Sequence, residues 1–152
     1  MYANDTSSKI FKLSEIGRKA KSSESKEMRE FLSSLSFMKG TTKIPSPKLR
    51  HSLFALIDMD CYSCNELVKS LILLRKKADT PPIYLITIGD KESLDIYFEE
   101  LGTSFVTALA KPIPFYTIVR EDPPMALYWS PKQELRISDG GEFPSPEGVN
   151  KK

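Results

Sequence analysis

The chain carries two cysteines, Cys61 and Cys64, in the run Cys61-Tyr62-Ser63-Cys64. Thiols this close enclose too short a loop to stabilise a fold by restricting the unfolded chain. Their spacing points to chemistry rather than architecture. The reaction open to such a pair is thiol–disulfide exchange. It needs a thiolate, an accessible sulfur, and a second thiol close enough to resolve a mixed disulfide.

Metal binding is the rival chemistry. Zinc usually takes four ligands, and the chain offers two cysteines and a single histidine, His51. A Cu(I) ion accepts two thiolates, or three ligands if His51 joins them. His51 lies at the start of the preceding strand rather than beside the motif and reads as an ordinary surface residue. We expect no metal and no cofactor. The sequence contains no phosphate-binding glycine loop, no Ser–His–Asp set and no defensible pair of catalytic carboxylates.

The elements that must hold the thiols are legible around them. Leu53-Phe54-Ala55-Leu56-Ile57 is an unbroken apolar run of strand length, as expected for a strand buried on both faces. Asp58-Met59-Asp60 follows, and a helix begins at the cysteines. Leu67, Leu71 and Leu74 form its stripe, widened by Val68 and Ile72, with Arg75-Lys76-Lys77 in the last turns where the helix dipole favours cations. Asp79-Thr80-Pro81-Pro82 ends it. Ile83 to Ile88 is a second buried strand, and residues 91–101 form a helix with Leu94, Tyr97, Phe98 and Leu101 inward and Gly102 as its cap. This strand–helix–strand–helix order favours parallel pairing.

Further out, residues 24–39 form an N-terminal helical extension, with Phe31, Leu32, Leu35 and Met38 at helical spacing and Gly40 as a stop. Phe105 to Leu109 reads as a short strand, Pro112 and Pro114 as a loop, and Phe115 to Val119 as helical or extended. Met125 to Trp129 and Glu134 to Ser138 form a hairpin around Ser130-Pro131-Lys132-Gln133, with Tyr128 and Trp129 in the core. Residues 1–23 read as a polar arm or tether, although Ile10, Phe11, Leu13 and Ile16 offer docking points. Residues 24–142 form the domain, and the Pro-rich stretch 143–152 reads as a mobile tail.

Bulk properties set the outer limits. The length of 152 residues fits one domain with a real core. The net charge of +2 and scattered basic residues argue against nucleic acid as a partner. No apolar run reaches the roughly 20 residues a membrane helix needs, and the N-terminus lacks a signal-peptide pattern. Two readings follow: a cytoplasmic protein, or a mature chain whose export signal or N-terminal membrane tether has been removed.

Taken together, a buried strand entering Cys61-Tyr62-Ser63-Cys64, a helix opening there, a following βα unit, and a proline-led hairpin resemble the thioredoxin-like superfamily. The likeness is greatest to extracytoplasmic thiol–disulfide proteins of the TlpA type and covers about residues 48–142. The fold implied is α/β, with a central mixed sheet, flanking helices and a C-terminal β-hairpin. The function implied is a thiol–disulfide oxidoreductase acting on a cysteine-containing protein partner outside the cytoplasm, in the periplasm or anchored facing outward.

The resemblance also assigns residues. Cys61, at the helix start, is the nucleophile, favoured as a thiolate by the free N–H groups there. Cys64, one turn further in, is the resolving thiol. Asp60 and Asp58 modulate the site by opposing negative charge on Cys61. Tyr62, Ser63, Pro123 and Pro124 form the substrate groove, and Pro124 is expected to be cis.

Three departures stand out. Ala55 occupies the position, six residues before Cys61, where relatives often carry a buried acid. Asp60 replaces the usual tryptophan. Pro123 has no N–H to offer a bound peptide. These departures favour an alternative, a non-catalytic binding module of the same fold with a redox-sensitive dithiol. A Cu(I) chaperone is a third reading, although copper-delivering relatives have wider cysteine spacing and a later histidine. Asp58, Asp60 and Glu66 read as a solvated rim of the site.

Overall fold

The computed structural model describes residues 12–120, 122–139 and 143. A short 3₁₀ turn at Leu13–Glu15 leads into β1 (Arg18–Lys19), α1 (Ser22–Ser33), β2 (Phe37–Lys39) and β3 (Thr42–Lys43). Then come β4 (Ser52–Ile57), α2 (Tyr62–Leu74), β5 (Ile83–Thr87), α3 (Lys91–Leu101) and β6 (Val106–Leu109). The chain closes with α4 (Pro112–Val119), β7 (Met125–Trp129) and β8 (Leu135–Ser138). The eight strands form one sheet in the order β1-β8-β7-β4-β5-β6-β2-β3. β4, β5 and β6 run parallel, and the other pairs are antiparallel.

Strand β4 lies at the centre, and all of its residues are buried. Its side chains alternate between two cores. Leu53, Ala55 and Ile57 meet Leu67, Val68 and Leu71 of α2 and Tyr97 of α3. Phe54 and Leu56 meet Met28, Phe31 and Leu32 of α1 and Phe115 and Ile118 of α4. A strand with an apolar layer on each side explains the unbroken hydrophobic run. The result is the mixed α/β sheet with flanking helices and a C-terminal hairpin that the sequence implies.

Several outer elements differ from expectation. Helix α1 ends at Ser33, and Phe37 and Met38 instead pair with Ala108 and Thr107 on the edge of β6. The Ser33 and Ser34 hydroxyls donate to the Glu30 and Phe31 carbonyls, at 2.8 and 2.6 Å, competing with a further helical turn. Pro112 and Pro114 are not in a loop. They occupy the first turn of α4, where the missing proline N–H groups have no intrahelical partner to lose.

Part of the stretch assigned to an N-terminal arm is built into the sheet. Ile16 is buried in the α2-side core with Leu13 against it, while Ile10 and Phe11 lie outside the described residues. Arg18 pairs with Ile137 and Lys19 with Arg136. The Arg136 guanidinium donates to the Ile16 and Gly17 carbonyls at 2.6 and 3.0 Å. Gly17 has a φ of +57°, and a Cβ there would stand 1.9 Å from the Ile137 carbonyl oxygen. Phe143, assigned to the tail, is buried in the same core, as its aromatic ring favours. The rest of that tail lies outside the described residues.

Candidate functional site

The dithiol sits where central strand β4 hands over to α2. The chain leaves β4 at Ile57 and turns through Asp58-Met59-Asp60, and the Cys61 N–H donates to the Asp58 carbonyl at 3.0 Å. Cys61 is the N-cap of α2, with extended backbone, and its Sγ accepts the Cys64 N–H at 3.3 Å. The sulfur therefore fills the place that a serine or aspartate oxygen usually takes at a helix start. In this geometry both cysteines are free thiols.

The two thiols have opposite surroundings. Cys61 is partly exposed and Cys64 is wholly buried. The Cys64 Sγ accepts the Asp58 N–H at 3.4 Å. Burial pushes the Cys64 thiol well above its ordinary range, and that backbone hydrogen bond only partly offsets the effect. The neighbouring Cys61 and Asp58 add to the upward push. Cys64 therefore keeps its proton where a free cysteine would lose it.

The proline loop closes the site from the hairpin side. The Pro123–Pro124 peptide bond is cis, as the family resemblance implies. The Cys61 thiol faces the Pro123 carbonyl, donating across 3.7 Å. The fold thus brings together Cys61, Cys64 and Pro123, which are separated by up to 62 residues in sequence. Tyr62 and Ser63, between the cysteines, are exposed, and Tyr62 is 76% accessible.

Asp58 and Asp60 play unequal parts. Asp58 Oδ1 accepts the Asp60 N–H at 3.0 Å, and Oδ2 accepts the Tyr116 hydroxyl at 3.4 Å. Burial, reinforced by the Asp58 carboxylate, raises the Tyr116 phenol. Asp60 points to solvent. Glu66 pairs with Lys69 at 3.7 Å and belongs to the surface of α2. Ala55 is fully buried in the apolar layer.

Two neighbours escaped the sequence reading. Tyr116 reaches Asp58 from α4, and Tyr97 of α3 donates to the Asn65 side chain at 2.6 Å, just after the dithiol. Both contacts cross between elements, so no local pattern announces them. Recognising Pro112 as the first residue of a helix would have placed Tyr116 one turn in.

His51 lies at the opposite end of β4 from the cysteines. The six residues of that strand carry it about 20 Å away, at about 3.3 Å per residue. Among the described residues, no three His, Cys, Asp or Glu side chains converge as a metal site would require.

The geometry defines a thioredoxin-like fold with a dithiol at the strand–helix junction opposite a cis proline. Comparison with solved structures supports that assignment. The chain superimposes on a secreted disulfide oxidoreductase of Mycobacterium tuberculosis homologous to E. coli DsbE, with a TM-score of 0.60 at 10% identity, over 72% of this chain and 85% of that one. A DsbF homologue from Corynebacterium diphtheriae gives 0.52 at 10% identity, covering 77% and 82%. A thioredoxin-family thiol:disulfide interchange protein from Chlorobium tepidum TLS gives 0.52 at 10% identity, covering 76% and 90%. No family model matches the sequence, and no curated protein does.

Proposed function

We propose that the chain is a thiol–disulfide oxidoreductase acting on cysteines of a protein partner. The observation that carries this is the pairing of a partly exposed Cys61 thiol, which caps α2 by accepting the Cys64 backbone N–H at 3.3 Å, with the buried thiol of Cys64. The three structural neighbours, each described as a disulfide oxidoreductase, a DsbF homologue or an interchange protein, support the same reading.

In the reductive direction, the Cys61 thiolate attacks one sulfur of a substrate disulfide. A mixed disulfide forms, and the other substrate sulfur leaves as a thiolate that takes up a proton. Cys64 then gives up its proton and attacks the Cys61 sulfur. The Cys61–Cys64 disulfide forms, and the second substrate thiol is released. Two electrons and two protons have passed to the substrate. The same steps in reverse oxidise a substrate dithiol. Cys64 stays protonated, and so silent, until the mixed disulfide draws it in.

Pro123 and Pro124, with Tyr62 and Ser63, line the substrate groove in this reading. The Pro123 carbonyl offers a bound peptide an acceptor, but proline supplies no donor beside it. Asp58 and Asp60 set a negative field around the nucleophile. The resemblance to TlpA-type proteins and the secreted neighbour favour a site of action outside the cytoplasm. Among the described residues no helix is long and apolar enough to cross a membrane.

A second reading, a binding module whose dithiol is only a redox-sensitive latch, draws on the buried, apolar Ala55 beneath the thiols. Turnover of a protein disulfide reporter in the presence of a small-thiol recycling system separates the two. Catalysis by the wild-type protein, lost in Cys61→Ser, is the expected result. A wild-type rate no higher than Cys61→Ser would leave the latch reading.

A further inference from the structure

We propose that the groove beside the dithiol docks a cationic segment of the partner, with Lys or Arg next to its reactive cysteine. This rests on the oxidoreductase reading above and adds a substrate class to it.

The groove encloses about 600 Å³, in the range of sites that accept side chains rather than a lone ion. Its walls come from four places in the fold, one of them Pro112 at the start of α4. The turn after β4 supplies Asp58, Met59 and Asp60, and the turn between β5 and α3 supplies Ile88, Gly89 and the N-cap Asp90. Ser93, Ile96, Tyr97 and Glu100 recur three or four residues apart and so present one face of α3 to it. Cys61 is the next residue in the chain after Asp60, so the Asp60 end of the groove is the end nearest the nucleophile along the chain.

The sign of its charge is the deciding feature. Four carboxylates, Asp58, Asp60, Asp90 and Glu100, line the groove, and no lysine or arginine does. Among the described residues none of the four forms an ion pair, whereas Glu24, Asp95 and Glu66 elsewhere are matched by Arg18, Lys91 and Lys69. The cation closest in sequence on α3, Lys91, is already held by Asp95. The whole chain is net positive at +2, so the negative groove is a local arrangement and not a reflection of overall acidity.

The four acids do not gather as a metal site would require, which suits separated cations along a peptide. Between them, Met59, Ile88 and the half-exposed Ile96 offer apolar surface for the long stems of Lys and Arg. Gly89 stands in the wall beside Met59, at a φ of +120° that residues with a side chain rarely adopt. The hydrogen bond that Pro123 cannot donate makes such side-chain recognition more necessary.

The test uses three synthetic disulfide peptides of one sequence, with Lys, Gln or Glu flanking the cysteine. The second-order rate of exchange at Cys61 is divided by each peptide's rate with 2-mercaptoethanol, which removes its intrinsic reactivity. At low salt the Lys peptide is expected to exceed the Glu peptide by about tenfold or more. The ratio shrinks toward one as ionic strength approaches about 1 M. The double substitution Asp90→Asn with Glu100→Gln should cut the low-salt ratio severalfold, and Asn keeps the cap on α3. Equal rates for the Lys and Glu peptides would overturn the docking inference while leaving the oxidoreductase reading intact. A ratio unmoved by the double substitution would overturn its assignment to this groove. No reaction of Cys61 with any peptide, or with a small uncharged disulfide, would overturn the oxidoreductase reading instead.

Discussion

The dithiol and the N-terminal clamp are both held by backbone polar groups, yet they are built for opposite ends. At the dithiol, the N–H groups of Asp58 and Cys64 point at two sulfurs, one of which stays within reach of solvent. At the clamp, the Arg136 guanidinium spends its donors on the Ile16 and Gly17 carbonyls and closes the chain onto β8. The first arrangement leaves a reactive atom accessible beside an open acidic groove. The second leaves no room even for a Cβ at Gly17. Reactivity and stability are thus separated onto different parts of the sheet, and substitutions should tell them apart.

Gly17→Ala breaks the clamp side of this contrast. A positive φ and a carbonyl at 1.9 Å force β1 off β8, costing roughly 2–5 kcal/mol by the usual magnitudes of backbone strain and overpacking. Denaturant titration measures it. Thiol exchange by the folded protein should change far less, because the clamp's hydrogen bonds and those of the two thiols share no partner. Cys61→Ser is the mirror image. Serine is a good N-cap, so stability should change by less than about 0.5 kcal/mol while exchange is lost. A large stability loss in Cys61→Ser, or impaired exchange in folded Gly17→Ala, would show that the two regions are coupled.

The smallest effect sharpens the clamp further. The Arg18 guanidinium grips Glu24 at 2.7 and 2.8 Å, tying β1 to α1. This bond, with the Lys21 N–H behind it, lowers the Glu24 carboxyl from 4.5 to about 2. The folded value is depressed, so its contribution is present above about pH 4.5 and is lost as pH falls toward about 2. Both partners are near the surface, so the whole effect stays under roughly 1 kcal/mol. Thermal melting between pH 6 and 2 should therefore show a slightly shallower acid limb in Arg18→Ala than in the wild type.

The same separation explains what the sequence made legible. The dithiol, its strand and its helix lie within a continuous stretch from Ser52 to Leu74, so a buried run and an i, i+3 pair were enough to read them. Pro124 was legible only through the family resemblance, because the strand it leads fits that family's proline-led strand. The clamp was not, because Arg136 and Ile16 are 120 residues apart, and β1 is a two-residue strand of exposed Arg and Lys with no apolar pattern. Helix α1 was overrun for a related reason. Leu35 and Met38 keep helical spacing, but pairing of Phe37 and Met38 with β6 depends on a strand some 70 residues away. The acidic groove escaped notice because its carboxylates come from three elements, and only the fold brings them alongside one another.

The most direct test of the central claim is to trap the first step of exchange. Cys64→Ser, incubated with a protein disulfide and mapped by peptide mass spectrometry, should accumulate a mixed disulfide at Cys61, while Cys61→Ser should accumulate none at Cys64. The buried Cys64 should also resist alkylation in the reduced wild-type protein through pH 9, where a free thiol reacts. An adduct that forms at Cys64 first, or no adduct at Cys61 at all, would contradict the assignment of these two thiols as attacking and resolving groups.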